Sequence, residues 1–307
     1  MNNMNDVAVI GMGPAGISAA IYLKRFGYEP ICFESKKVGG KLNEIKEIEN
    51  YPGFIGEGKD LALLLSKQVE HFNLNVKNEF VTKIERDYDN GTFIIKSDST
   101  SYNFKAVVIT TGIREKPFEI PGSSSYSNNG ISRCATCDGP FYRNKTVSLI
   151  GTSSSAYEDA AYLANICEKV YLINDGSEVK ANEELQKEIG ENSKIEVLSP
   201  YKIISSSGTN HLEKLVLKNN ENGKEKTIDT SALFILIGAT PITEFIDYMD
   251  ILSPQGFIIS NDKMETSVKG VFVAGDARVT PLRQVVTATS DGSLAALSAK
   301  NYLKGLK

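Results

Sequence analysis

Two short runs of residues can carry chemistry. "CATC" sets Cys134 and Cys137 close enough to close a disulfide. In a C-x-x-C motif the thiolate is stabilised and nucleophilic, which suits disulfide exchange. A zinc half-site is the rival reading. Zinc needs further ligands, and His71, His211, Cys32 and Cys167 stand singly, without metal spacing. The redox reading is preferred, and no metal site is expected. The second run is G-x-G-x-x-G, made by Gly11, Gly13 and Gly16 between an apolar strand and a helix. Gly11 suits a tight turn, Gly13 lets a pyrophosphate approach the backbone, and Gly16 lets the helix pack on the strand. Glu34 ends the next strand, where an acid can take ribose hydroxyls. The helix N-terminus adds donors and a positive dipole. The motif alone does not separate FAD from NAD.

These groups need a scaffold, and the pattern of apolar residues supplies one. "DVAVIGMGPAGISAAIYLKRFGYEPICFES" reads as strand, glycine turn, helix and strand. "KDLALLLSKQVEHFNL" reads as a helix, and "EFVTKIERDYDNGTFIIKS" as a hairpin turning at Asn90-Gly91. "AVVITTG" is another buried strand. The pattern then restarts with "KTVSLIG", "SAYEDAAYLANIC" and "KVYLIN". A βαβ unit therefore occurs twice, at 6–34 and 146–174, with a loop-rich stretch after the second. "SALFILIG" and "GVFVAGDA" are later strands, and a long helix runs from about Val285 to Leu303. The last strand and helix have no mate nearby and should return to the first domain. The expectation is an α/β protein with two Rossmann-like, three-layer ββα domains, the second inserted in the first. The boundaries are 1–114 with 244–307 for a nucleotide-binding domain and 115–243 for a domain carrying the cysteine pair. Cys32 lies in a strand and Cys167 in a helix, both as core residues.

Composition narrows the class. The chain has 307 residues, 41% hydrophobic and 23% charged, enough for two domains with their own cores. A net charge of −4 is not the basic footprint of a nucleic-acid binder. No apolar run approaches the roughly 20 residues of a membrane helix. The N-terminal residues show no basic segment followed by a signal-type apolar core. A soluble, cytoplasmic protein with neither nucleic-acid nor membrane partners is expected.

Five further segments, "VGGKLNEIKEIENYPGF", "VVITTGIREKPFEIPG", "CATCDG", "FILIGATP" and "VFVAGDARVTPLRQVVTATSDGSLAA", occur in the order of the low-molecular-weight bacterial thioredoxin reductases. The chain resembles that family over nearly its whole length. The resemblance implies one FAD per chain in the first domain. Pro14 and Ala15 would join the motif glycines there, with Gly40, Lys41 and Leu42 in the next loop. Thr111, Gly112 and Gly275 would complete the cradle. Asp276 would meet the ribityl chain. Arg283, Gln284 and Val285 would lie near the isoalloxazine, Asn50 on its other side, and Val81 would meet the adenine end through its main chain. Lys41 stands where relatives have glutamine. By the same resemblance, Cys137 receives electrons from the flavin and Cys134 attacks the thioredoxin disulfide. Asp138 would protonate the leaving thiolate, provided partial burial raises its pKa. A homodimer is also implied.

The second βαβ unit departs from nicotinamide-using relatives. "VSLIGTSSSAYEDAAYLA" puts Ser153 where the second glycine belongs, so a Cβ and a hydroxyl fill the space of the pyrophosphate. Asn174, Asp175 and Gly176 replace His-Arg-Arg at the strand end, and Lys180 replaces the last arginine. A 2′-phosphate would meet a like charge at Asp175. Two losses in one site imply that no NAD(P)H binds, and that the chain resembles the ferredoxin-dependent flavin thioredoxin reductases. The short terminus "NYLKGLK" offers no tail to cover the flavin. Ferredoxin and thioredoxin are the expected partners. The rivals are an NAD(P)H-dependent thioredoxin reductase with an atypical loop, and a non-enzymatic flavin redox sensor or partner-binding module.

Overall fold

A computed structural model describes residues 4–126, 129–246 and 250–306. The chain forms two compact units, Met1–Arg114 with Thr240–Lys307, and Glu115–Ala239. The first begins with β1 (Met4–Ile10), α1 (Pro14–Arg25) and β2 (Ile31–Phe33). There follow the hairpin β3 (Ile48–Tyr51) and β4 (Phe54–Gly56), then α2 (Gly58–His71) and β5 (Asn75–Lys77). Strands β6 (Val81–Asp87), β7 (Thr92–Ser97) and β8 (Ser101–Ile109) lead to the first crossing, β9 (Ile113–Glu115). The expected turn closes the β6–β7 hairpin, Asp87 pairing with Thr92.

The second unit opens with β10 (Ile131–Ser132) and the single turn α3 (Ala135–Asp138). The restarted βαβ unit is β11 (Thr146–Ile150), α4 (Ser154–Ile166) and β12 (Lys169–Ile173). The stretch expected to be loop-rich is in fact structured. It holds α5 (Glu183–Glu191), β13 (Ile195–Leu198) and an antiparallel sheet of β14 (Tyr201–Ser207), β15 (Lys214–Asn219) and β16 (Glu225–Asp229). One face alone packs, through Ile203, Leu215, Leu217 and Ile228, so each short strand carries only one or two core residues among polar ones. Strand β17 (Leu233–Ile235) then enters the parallel sheet, whose order is β10-β17-β11-β12-β13.

The return crossing, β18 (Ala239–Pro241), pairs with β9, so the first unit resumes at Thr240, ahead of the expected 244. Strand β19 (Val271–Val273) then pairs in parallel with β8, and α6 (Val285–Gly305) packs on α1. The first sheet runs β5-β2-β1-β8-β7-β6, with β19 beside the C-terminal half of β8. Val7, Ala8 and Val9 are wholly buried because parallel strands are covered on both faces. On one face lie Ile17, Ala20 and Leu23 of α1 with Ala295, Ala296 and Ala299 of α6. Small residues on both helices permit this close pairing. Ser18 Oγ secures it by donating to the Thr289 carbonyl at 2.7 Å.

Gly16 is where α1 meets the β1 turn. A Cβ there would lie 1.9 Å from the Gly11 carbonyl oxygen, a backbone atom with nowhere to go. Gly16→Ala should therefore lower stability by about 3 kcal/mol, at the upper end for overpacking. Gly13→Ala, whose Cβ meets nothing within 4 Å of the protein, should leave it unchanged. Urea unfolding of both variants checks the contrast.

Candidate active site

The cysteine pair sits at the start of α3. Cys134 and Cys137 are joined by a disulfide, with their Cα atoms 5.3 Å apart. Cys134 is the helix N-cap, and its sulfur accepts from the Cys137 N–H at 3.2 Å. The Cys134 carbonyl accepts from the Asp138 N–H at 3.1 Å, which closes one turn around both cysteines and Asp138. The segment is anchored from behind by Arg133. Its guanidinium pairs with Glu115 at 3.1 Å and donates to the Lys116 carbonyl at 3.0 Å. Asp138 is half-buried, and its charge together with burial pushes the Tyr142 phenol up, burial being the larger cause.

Ser132 is the residue that motif reading missed. It is buried, and its hydroxyl donates to Asp138 Oδ2 at 2.5 Å while accepting from the Cys134 N–H at 3.1 Å. A lone serine two residues before a cysteine gives no signal in sequence. Cys32 and Cys167 are free and buried, as the sequence suggested. Burial pushes the Cys32 thiol up to about 12 and raises that of Cys167, against the pull of Lys194 and Arg143. Neither can act as a thiolate at neutral pH. Among the described residues no three His, Cys, Asp or Glu side chains gather as a metal site. No described helix is long and apolar enough to cross a membrane.

In the first unit most of the expected cofactor residues are linked to one another. Gly11 has φ of 98°, and its N–H donates to the Phe33 carbonyl at the end of β2. Gly13 is the N-cap of α1, with Pro14 at the first helical position, and no side chain caps the helix. A Cβ on Gly40 would lie 3.2 Å from the Gly13 Cα, so the next loop walls the same spot, and Leu42 is buried behind it. Glu34 accepts the Met12 N–H and the Lys36 N–H, each at 2.9 Å. Gly275 rests against Ala15 and leads into Asp276. Burial raises the Asp276 carboxyl, while the Lys41 and Arg283 charges pull it back. Lys41, the departure from glutamine, thus acts on the residue expected at the ribityl chain. Arg283 lies 4.4 Å over the Phe257 ring and donates to the Asp276 carbonyl at 3.4 Å. Asn50 donates to Gln284 at 3.1 Å, and Val285 packs on the cluster of Leu42 and Ile48.

Two further residues lie near the Gly11 turn but commit their side chains to the protein. The Thr111 hydroxyl is spent on the Ile242 carbonyl at 2.6 Å, although Gly112 beside it has open space where a Cβ would stand. Val81 lies in the buried cluster with Ile10 and Phe33, at a bulge in the β6–β7 ladder. The uncapped donors of α1, with no acid in the first turn and no Cβ at Gly13, fit the pyrophosphate of a dinucleotide such as FAD.

The second unit treats the equivalent helix differently. Ser153 is the N-cap of α4, and its own side chain accepts from the Ala156 N–H at 3.2 Å. Ser153 and Ser155 hydroxyls also bond at 3.0 Å, and Ser154 donates to the Lys180 carbonyl at 3.1 Å. At the end of β12 the Asn174 amide is turned inward, accepting from Gly176 N–H and donating to the Ser177 carbonyl. Asp175 accepts from the Ser177 N–H, and the Ser177 side chain and backbone hold its carboxyl below the usual range. It is a fixed negative charge at this strand end.

Two such folds, one with an open pyrophosphate cradle and one carrying a C-x-x-C disulfide, define a disulfide oxidoreductase. The pyridine nucleotide-disulphide oxidoreductase family matches residues 5–292. The chain is 37% identical to the thioredoxin reductase of Helicobacter pylori over 98% of its length and 99% of that protein. It is 34% identical to that of Peptoclostridium litorale, over 100% of its length and 99% of the relative's. Among solved structures, a Streptococcus pyogenes thioredoxin reductase is 32% identical, with a TM-score of 0.93 over 99% of this chain and 100% of that one. A ferredoxin-flavin thioredoxin reductase from Clostridium acetobutylicum is 29% identical, with a TM-score of 0.55 over 99% of each chain. The chain belongs to the low-molecular-weight thioredoxin reductase family.

The cradle yields a clean test. Gly13→Val should give a folded but colourless protein, because a Cβ there meets no protein atom within 4 Å and the branched side chain would intrude on the space expected for the pyrophosphate. Flavin absorbance and circular dichroism of the purified variant read the two effects separately. A yellow variant would place the cofactor elsewhere.

Proposed function

We propose that the protein reduces thioredoxin with electrons from reduced ferredoxin, through one FAD in the first unit and the Cys134–Cys137 disulfide in the second. The carrying observation is the self-capped helix of the second unit. A pyrophosphate binds there by accepting from first-turn N–H groups, and Ser153 already takes the Ala156 N–H. The negative Asp175 repels a 2′-phosphate at the same site. One of the similar structures is named a ferredoxin-flavin thioredoxin reductase, which supports this reading. The match to the pyridine nucleotide-disulphide oxidoreductase family, which runs through the second unit, favours a second reading, a nicotinamide donor bound through the serine-rich loop.

When bound, FAD supplies a centre that accepts electrons singly and passes them on as a pair. Gly11, Gly13, Pro14, Ala15 and Gly16 would hold its pyrophosphate, with Glu34 on the ribose and Asp276 on the ribityl chain. Cys137 takes the electron pair and the S–S bond opens. Cys134 then attacks the thioredoxin disulfide, and Asp138 gives a proton to the leaving sulfur. Cys137 next attacks Cys134, restores the disulfide and releases thioredoxin dithiol. Iron–sulfur carriers of this type are acidic, and the chain itself has net charge −4. A local basic patch must therefore steer docking. Lys36, Lys37 and Lys41 are exposed around the Gly39-Gly40 loop and are assigned that role. The protein acts as a cytoplasmic homodimer in this reading.

Cys134→Ser should abolish thioredoxin turnover. Cys137→Ser should also abolish it, yet retain Cys134 as a covalent trap for thioredoxin, visible as a mixed disulfide on non-reducing gels. Asp138→Asn should slow exchange by a factor on the order of 10²–10⁴. Turnover retained in both cysteine variants would make the pair structural.

The donor is decided by anaerobic bleaching of the flavin. Reduced ferredoxin should bleach it, and NADPH and NADH should not. The ferredoxin rate should fall with added salt, and fall further in a triple Lys→Glu variant at 36, 37 and 41. Rapid bleaching by a nicotinamide cofactor with none by ferredoxin would install the second reading. An unaffected triple variant would remove only the docking patch.

A further inference from the structure

Ser132 lies outside every motif, yet it touches both partners of the exchange chemistry. It is 7% exposed and sits on β10, where it pairs with Phe234 of β17. A sheet strand, not a loop, therefore sets its position. Its hydroxyl has one hydrogen to give. The oxygen is 2.5 Å from Asp138 Oδ2 and 3.3 Å from the Cys134 carbonyl, so the carboxylate takes that hydrogen. The oxygen in turn accepts from the Cys134 N–H at 3.1 Å.

We propose that Ser132 is a positioning residue for disulfide exchange: by engaging Asp138 Oδ2 it assigns the transferable proton to Oδ1 and ties that carboxyl to the backbone of the attacking cysteine. The inference rests on the reading of Asp138 as the acid. In the exchange, the Cys134 thiolate forms a bond to one sulfur of a substrate disulfide, whose S–S bond breaks. The departing sulfur takes the electron pair of that bond and a proton from Asp138 Oδ1. Cys137 then loses its proton and attacks Cys134, and the second substrate sulfur leaves with its pair and takes up a proton from water. Two cysteine thiols are oxidised and one substrate disulfide is reduced to two thiols.

Acid assistance matters only when the leaving sulfur is basic, because low-pKa thiolates depart unaided. The test uses holoenzyme reduced with excess dithiothreitol and desalted under nitrogen. It is mixed with hydroxyethyl disulfide, an alkyl probe, or with dithiobis(nitrobenzoate), an aryl probe. Ser132→Ala should slow the single-turnover reaction about tenfold with the alkyl probe, matching one lost hydrogen bond. The aryl reaction should keep its rate. Ser132→Thr should restore the alkyl rate. Ser132→Ala combined with Asp138→Asn should be no slower than Asp138→Asn alone, since the serine acts through the carboxyl. Equal slowing with both probes, no slowing with either, or additive losses in the double variant would overturn the proposal. If Asp138→Asn leaves the alkyl rate unchanged, the acid reading fails, and the role of Ser132 falls with it. If Asp138→Asn is slow while Ser132→Ala is normal, only the serine assignment fails. Should Ser132→Ala not fold, Ser132→Gly makes the same comparison.

Discussion

The first turn of an α-helix carries N–H groups that have no partner within the helix. The two βαβ units of this protein satisfy that constraint in opposite ways. At α1 the cap is Gly13, which has no side chain to offer, and the donors face a cradle walled by Gly40. At α4 the cap is Ser153, whose hydroxyl turns back onto Ala156. The strands and helices of the two units are otherwise built alike. One atom group at one cap position therefore separates a helix end with no side-chain acceptor from one that supplies its own.

A second constraint governs the turn that carries Asp276. Gly275 has φ of 74° and lies against Ala15, and the turn would be loose if only its own backbone held it. Asp291 of α6 grips it from below. Its Oδ2 accepts from the Gly275 N–H and from Arg278 Nη1, both at 3.2 Å, and Arg278 Nε donates to Ser260. Both ends of the turn are thus tied to one buried carboxylate. Such a pair adds little net stability over apolar packing, but losing one partner leaves the other buried and unpaired, at about 3–5 kcal/mol. Its use here is geometric, since it fixes where Asp276 stands between Lys41 and Arg283.

The redox segment follows the same logic on a smaller scale. A four-residue helix has little stability of its own, and α3 is held by what surrounds it. Arg133 is pinned to Glu115, Ala135 is buried, and Gly139 lies against Leu163 with no room for a side chain. The cysteines themselves stay half-exposed, as an exchanging pair requires.

The duplicated βαβ pattern, the glycine spacing and the C-x-x-C pair are all legible in the order of the residues. Each is local: a strand, a turn and a helix lie within about thirty residues, and period and glycine placement encode them. The late return of β19 to β8 is legible as well, because an unmatched strand needs a partner. The antiparallel sheet after β13 is not, because its short strands bury only one or two apolar residues each and are otherwise as polar as loop. Nor does sequence reveal that Thr111 turns its hydroxyl away to Ile242, or that Lys41 bears on Asp276. Ser132 and Asp291 show the limit most clearly. Both are ordinary polar residues, and they gain a role only when folding excludes water and leaves each with a particular partner. Residue types and spacing determined which chemistry the chain could hold. Burial, which only the tertiary structure creates, decided which polar groups must find one another.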